Sequence, residues 1–404
     1  MDGSFQSLTH HAYMRNRENP AGAGQARWRG VSGLASKSVG KSKASRSDFK
    51  PLRIAQLAPL YERVPPKLYG GTERVVSYLT EELVRRGHKV TLFASGDSET
   101  RARLHSGHPE SLRLANVAEH GTFLHFPMIS DAYKMGADHF DIIHGHIDYW
   151  TFPFAELSPK VASVTTLHGR LDIEPWRPVY WRYRKIPVIS ISNAQRKPLP
   201  FLNWKATIYH GLPDDHLHYN PGPGKYLAFL GRISPEKRPD LAIEVARKVG
   251  IPLKIAAKVD VVDQDYYDAI VKPQLSPPHV EYIGEINESE KAEFLGNAMA
   301  LMFTIDWPEP FGLAMIEAMA CGTPVITRPC GSVPEVIKPG VSGYIASTAD
   351  ELAACVRQAV DLPRAQVRAE FDRRFTVAKM AEAYERVYAR LIARIKGKPA
   401  RKKK

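Results

Sequence analysis

TIDWPEPFGLAMIEAMACGT, residues 304–323, carries two glutamates eight positions apart, Glu309 and Glu317. With Pro310 opening a helix, a position that suits proline, Glu309 falls at the helix mouth and Glu317 about two turns in, on the same side. The apolar runs 300–305 and 324–327 on either flank read as buried strands. The unit is then strand, helix, strand, with the glutamates at the carboxyl edge of a parallel sheet, where open α/β sheets bind ligands. The amides of Phe311, Gly312 and Leu313 are expected to lie unpaired at the helix start, and Gly312 has no side chain to hold an anion away. A phosphate suits such a place. Two surface glutamates on a solvated helix are the plain alternative, so the rest of the chain must decide.

This stretch resembles the signature of the retaining nucleotide-sugar glycosyltransferases of the GT-B fold, glycosyltransferase family four (glycosyl transferases group one), in which two glutamates enclose seven residues and the first precedes Pro-Phe-Gly. The resemblance implies that Glu309 contacts the hydroxyls of the donor sugar and Glu317 the ribose of the nucleotide. It also implies an α/β chain of two Rossmann-like parallel-sheet domains facing across a cleft.

Length and composition agree. A chain of 404 residues holds two domains of ordinary size, and 44% hydrophobic residues suffice for packed cores. No run approaches the roughly 20 apolar residues that span a bilayer, and the N-terminus lacks a secretory apolar core. Cys321, Cys330 and Cys355 show neither metal-ligand spacing nor a disulfide framework, which fits a cytoplasmic protein. The net charge of +13 sits at the ends. Residues 1–50 hold nine Lys or Arg against three Asp or Glu, and residues 396–404 hold six basic residues and no acid. The body between is nearly neutral, so a nucleic-acid partner is not expected. The first fifty residues, rich in Ser, Gly, Arg and Lys, read as a disordered extension; they also resemble a transit peptide, and peripheral contact with an anionic membrane is a further expectation.

In order, 53–59 reads as a buried strand, followed by a loop with Gly70 and Gly71. A helix with one apolar stripe (Val75, Val76, Leu79, Leu83, Val84) ends at Gly87, and a second strand covers 91–95. A Gly-Gly pair between first strand and first helix suits phosphate binding, and the resemblance places Gly70 and Gly71 against the donor diphosphate and the acceptor. Strands follow at 141–144, 161–167, 187–192 and 206–209. His168 lies just past the second strand of that set, and the family resemblance puts a histidine there near the transferred sugar. His144, His146 and Asp148 suggest a metal pair, but the acceptor side of the cleft is the preferred reading. Residues 210–224 read as a linker, with His210 where relatives carry asparagine.

The second half opens with a strand at 226–233, then Ser234, Pro235, Glu236 and Lys237 before an amphipathic helix. Arg232 and Lys237, in a loop at the strand's carboxyl end, are expected to grip a diphosphate from two sides. Gly231, Arg232, Glu236, Lys237 and Asp240 match the family's second motif. Ala257 and Lys258 stand where relatives often have a glycine-rich turn. Asp263 and Asp265 spell a two-aspartate metal motif of another glycosyltransferase fold, but a solvated loop is preferred there. Strands at 253–257, 280–286 and 343–346, a helix over 289–299 and a loop at 332–336 follow. The last helix, 377–395, is expected to cross back to the first domain, as in the family.

These readings divide the chain into a basic extension (1–50), an acceptor-side domain (51–215), a nucleotide-sugar domain (216–375), a crossing helix (376–395) and a basic tail (396–404). The resemblance implies transfer of a sugar from a nucleotide-diphosphate donor to a hydroxyl of a sugar, lipid-linked or small-molecule acceptor, with retention and without cofactor or metal. His168, Arg232, Lys237 and Glu309 are the expected catalytic residues. Gly70, Gly71, Phe311, Gly312, Leu313 and Glu317 are expected to bind substrate. Alternatives are a sugar-nucleotide epimerase or phosphorylase of the same architecture, or a non-catalytic basic-tailed binding protein.

Overall fold

The structure, a computed structural model, describes residues 50–68 and 70–397. The readings of residues 1–49 and 398–404 fall outside them. Two parallel sheets form separate layers. The first contains β1 (Arg53–Leu57), β2 (Lys89–Ser95), β3 (Arg103–His108), β4 (Ile142–Gly145), β5 (Ala162–Thr166), β6 (Pro187–Ser190) and β7 (Asn203–Thr207), in the order β3-β2-β1-β4-β5-β6-β7. The second contains β8 (Tyr226–Ile233), β9 (Leu253–Val259), β10 (Val280–Gly284), β11 (Ala298–Phe303), β12 (Val325–Thr327) and β13 (Gly343–Ile345), in the order β10-β9-β8-β11-β12-β13.

Strands covered by helices on both faces need apolar residues throughout, and β4, β11 and β12 are buried almost end to end. In each sheet the strand order reverses once, between β1 and β4 and between β8 and β11. Loops leaving neighbouring strands diverge there and open a crevice. The loops after β1, β4, β8 and β11 hold Gly70, His146, Lys237 and Glu309, so topology alone brings four segments distant in sequence to one place.

Four expectations need correction. The helix expected at Pro310 spans Leu313–Ala320, because Gly312 before it has a left-handed φ of 81° and resets the chain direction. Glu309 therefore lies in the preceding loop, and its position relative to Glu317 is set by that loop rather than by helical periodicity. Strand β7 begins at Asn203, three residues earlier than read, since its register follows the pairing of Pro187 with Asn203 across to β6. Residues 333–336 form a short helix rather than a loop. Arg232 lies within β8, not in the loop after it. Strand β3 and the Gly121–His139 helix, both absent from the sequence reading, complete the first sheet and cover it.

The Val377–Lys396 helix follows the second sheet in sequence but packs on the first. Tyr384, Glu385 and Tyr388 on it are fully buried. Glu385 receives Arg86 through two bonds of 2.9 and 2.7 Å and His88 at 2.7 Å. Gln56 Nε2 donates to the Tyr388 hydroxyl at 3.2 Å.

Candidate functional site

Between the sheets lies a cavity of about 860 Å³ lined by both halves, within the range of small-molecule sites. All ten residues expected from the sequence to bind or react lie on its wall: Gly70, Gly71 and His168 from the first half, and Arg232, Lys237, Glu309, Phe311, Gly312, Leu313 and Glu317 from the second.

Lys237 Nζ lies 2.5 Å from Glu309 Oε2, which also accepts the indole N–H of Trp307 at 2.9 Å. The ammonium sits 4.6 Å from the Trp307 ring centroid, a cation–π contact on top of the ion pair. Glu309 is buried and fixed by two donors, so the carboxylate is held in one orientation before any ligand arrives. Beyond it, the Leu313–Ala320 helix starts with Leu313 and Ala314 on the cavity wall, and first-turn amides have no partner within the helix. A Cβ on Gly312 would come within 2.7 Å of Met315 Cε and 2.9 Å of Phe303 Cζ, so a larger residue would have to displace those side chains as well as adopt the left-handed φ.

Arg232 is engaged by Glu236 and by Asp260 and Asp263, the last two at 3.5 Å. Asp263, expected in a solvated loop, is buried, and it serves as a counter-ion to Arg232. Lys258, within β9, pairs with Asp260 at 2.8 Å and belongs to the same charge cluster.

Glu317 is buried and accepts from Lys291 Nζ at 2.9 Å. Lys291 continues to Glu288 at 3.1 Å, and Glu288 meets Arg74 of the other half at 2.8 Å and His216 at 2.7 Å. Burial opposes ionisation of Glu288, but the His216 hydrogen bond and the charges of Lys291 and Arg74 hold it down to about 2. Sequence reasoning missed Arg74, Glu288 and Lys291, because no spacing within either half signals a bridge between halves.

His168 belongs to a buried chain of polar groups. His146 Nε2 lies 2.7 Å from Gln56 Oε1 and must donate to it, which leaves His146 Nδ1 to accept from His168 Nε2–H at 2.9 Å. Both nitrogens of His144 are likewise occupied, by the Tyr388 hydroxyl at 2.7 Å and Thr166 at 2.8 Å. The metal pair considered for His144 and His146 thus has protein partners on every ring nitrogen. No group of three ligand side chains suited to a metal occurs among the described residues. Burial pushes His168 down to about 3, so the ring is neutral at physiological pH. His210 stacks on His168 with centroids 5.3 Å apart and meets Phe311 edge-on at 4.8 Å, placing the departure from asparagine inside the site.

Comparison with known proteins adds an independent line. The family model Glycosyltransferase Family 4 matches residues 69–198, and Glycosyl transferases group 1 matches residues 218–375. The chain is 26% identical over 253 residues to an uncharacterized glycosyltransferase, MJ1178, of Methanocaldococcus jannaschii, covering 58% of this chain and 70% of that one. It is 28% identical over 241 residues to the D-inositol 3-phosphate glycosyltransferase of Mycolicibacterium smegmatis, covering 51% of this chain and 52% of that relative, about half its length. Its fold is similar to AviGT4, a glycosyltransferase involved in Avilamycin A biosynthesis, with a TM-score of 0.66 at 22% identity over 85% of this chain and 98% of that one.

Proposed function

This chain belongs to the family-four glycosyltransferases of the GT-B fold, and from that premise we propose that it moves a sugar, with retention, from a nucleoside-diphosphate donor on the second domain to an acceptor hydroxyl on the first. The observation that carries this reading is the Lys237–Glu309 pair beside the start of the Leu313–Ala320 helix. Breaking the anomeric bond places negative charge on a diphosphate and positive character on a sugar. Lys237, Arg232 and the amides of Phe311, Gly312 and Leu313 stabilise the first more as the bond breaks, which is what lowers a barrier. Glu309 orients the sugar hydroxyls, and Glu317, braced by Lys291, receives the ribose. His168 lies against the transferred sugar, while Gly70 and Gly71 let the diphosphate and acceptor approach the first domain.

Attack on the face from which the diphosphate departs, with a diphosphate oxygen taking the acceptor proton, gives retention without a protein nucleophile. The engagement of Glu309 by Lys237 and Trp307 favours an orienting role over nucleophilic attack. No step in this scheme requires a metal. The basic segments at the two ends would hold the enzyme at an anionic surface by up to about 1 kcal/mol per residue; salt-sensitive sedimentation of the full chain with anionic vesicles tests that, and no sedimentation at low salt refutes it. For the reaction, a set of nucleoside-diphosphate sugars should be assayed for donor hydrolysis and transfer, in the presence and absence of EDTA. An α-linked product from an α-linked donor, formed in EDTA, is expected; an inverted product overturns the mechanism.

A further inference from the structure

The first-domain wall of the cavity has its own chemical character, and it differs from that of the second. Its cations are already committed: Arg74 to Glu288 at 2.8 Å, Arg113 to Glu62, and Arg170 to Asp172 at 2.8 Å. Its acids Glu73 and Asp148 make no ion pair among the described residues. Asp148 also carries strain. Its φ is 46°, in the left-handed region that a residue with a side chain seldom occupies, and such conformations persist where surrounding structure enforces them, often at functional sites. Its carboxylate accepts the backbone N–H of His168, while Oδ1 is out of solvent with no hydrogen-bond partner. A buried carboxylate oxygen without a donor costs free energy.

Around Asp148 the wall is aromatic. Tyr61, Tyr149, Trp150 and Trp176 line the cavity. Tyr149 is held edge-on by Trp150, Trp176 and Tyr180 at 6.4, 6.0 and 5.8 Å, so these rings form a braced platform rather than loose side chains. Flat apolar rings beside hydrogen-bond acceptors suit a ligand with C–H faces and hydroxyl edges.

We propose that this wall is the acceptor subsite for an uncharged polyhydroxylated compound, a sugar or polyol without phosphate or carboxylate, whose hydroxyl is oriented by the partly exposed Asp148 carboxylate. The inference rests on the glycosyltransferase reading and names its acceptor class. A phosphorylated acceptor would meet two carboxylates and no uncommitted guanidinium. Burial pushes Asp148 up to about 6 and Glu73 up to about 7, in keeping with carboxylates that lack a cationic partner.

The test uses the full chain with its best hydrolysed donor and paired acceptors: glucose against glucose 6-phosphate, myo-inositol against inositol 3-phosphate, and octyl glucoside. Transfer to uncharged members, at least tenfold faster than to their phosphate esters, is expected. Asp148→Asn, which keeps the shape and removes the charge, should raise the acceptor KM at least tenfold while nucleotide affinity stays within twofold. Preference for the phosphorylated member of any pair overturns the proposal, as does donor hydrolysis with no transfer to any uncharged acceptor. Unchanged acceptor KM in a folded Asp148→Asn protein removes the role of Asp148. Failure to hydrolyse any donor instead counts against the underlying reading.

Discussion

At the scale of single residues, the cations differ in how cleanly they can be tested. Lys237 has one acidic partner, Glu309, which keeps the Trp307 N–H if the lysine is lost. Lys237→Ala is expected to lower turnover by about 100-fold or more while the melting temperature falls by only a few degrees. Near-native turnover would remove Lys237 from the reaction. Arg232 is bound to Glu236, Asp260 and Asp263, and removing it leaves three acids facing one another. Its loss mixes chemistry with stability. Glu73 offers a pH test: burial raises its carboxyl from an ordinary 4.5 to about 7. The folded state therefore holds this proton more tightly than the unfolded chain, so the contribution to stability is full below 4.5 and lost as pH rises to about 7. Glu73→Gln has no such slope. Relative to the native protein it should gain stability at pH 8, by about 1–3 kcal/mol, and little at pH 4.5; equal melting shifts at both values would contradict the assignment.

At the scale of elements, the Val377–Lys396 helix owes its place to a few buried polar contacts within an apolar face. Glu385 is fully buried against Arg86 and His88. Replacing it with alanine leaves the Arg86 guanidinium without its strongest counter-ion, and breaking a buried pair from one side costs about 3–5 kcal/mol. Glu385→Ala should thus melt well below the native protein, with the first sheet losing amide-exchange protection, since the helix covers it. A change under 1 kcal/mol would mean that apolar packing alone holds the helix.

The whole molecule is held together across the cleft by named contacts. Glu335 of the second half accepts the backbone N–H groups of Asn193 and Ala194 of the first at 2.8 and 2.6 Å, and the Tyr209 hydroxyl at 3.0 Å. It caps the N-terminus of a short helix in the other domain, where negative charge is favoured. The Arg74–Glu288 bridge is a second tie between the two halves. Lids and domains that close over a substrate often set turnover. Glu335→Ala is expected to raise the radius of gyration of the unliganded enzyme in small-angle scattering and to raise the donor KM several-fold, with each domain still folded. An unchanged scattering profile and KM would show that Glu335 does not hold the halves together.

What the sequence determined by itself was local: apolar runs that must be buried strands, the one-sided stripe from Val75 to Val84, and three motifs whose order matches one family. Burial of apolar side chains and the period of a helix or strand act over a few residues, so they are written in consecutive letters. The helix start at Leu313 was misread because proline suits a first helical turn, whereas the left-handed φ of 81° at Gly312 delays the helix to the next residue. Only the tertiary structure decided the partners of the site. The three acids around Arg232, the bridge from Glu317 through Lys291 and Glu288 to Arg74, and the link from His168 through His146 and Gln56 to Tyr388 each join residues brought together by the crossing of two sheets and a returning helix. Charge pairing and hydrogen bonding depend on distance in space. That distance is set by packing, which no spacing along the chain records.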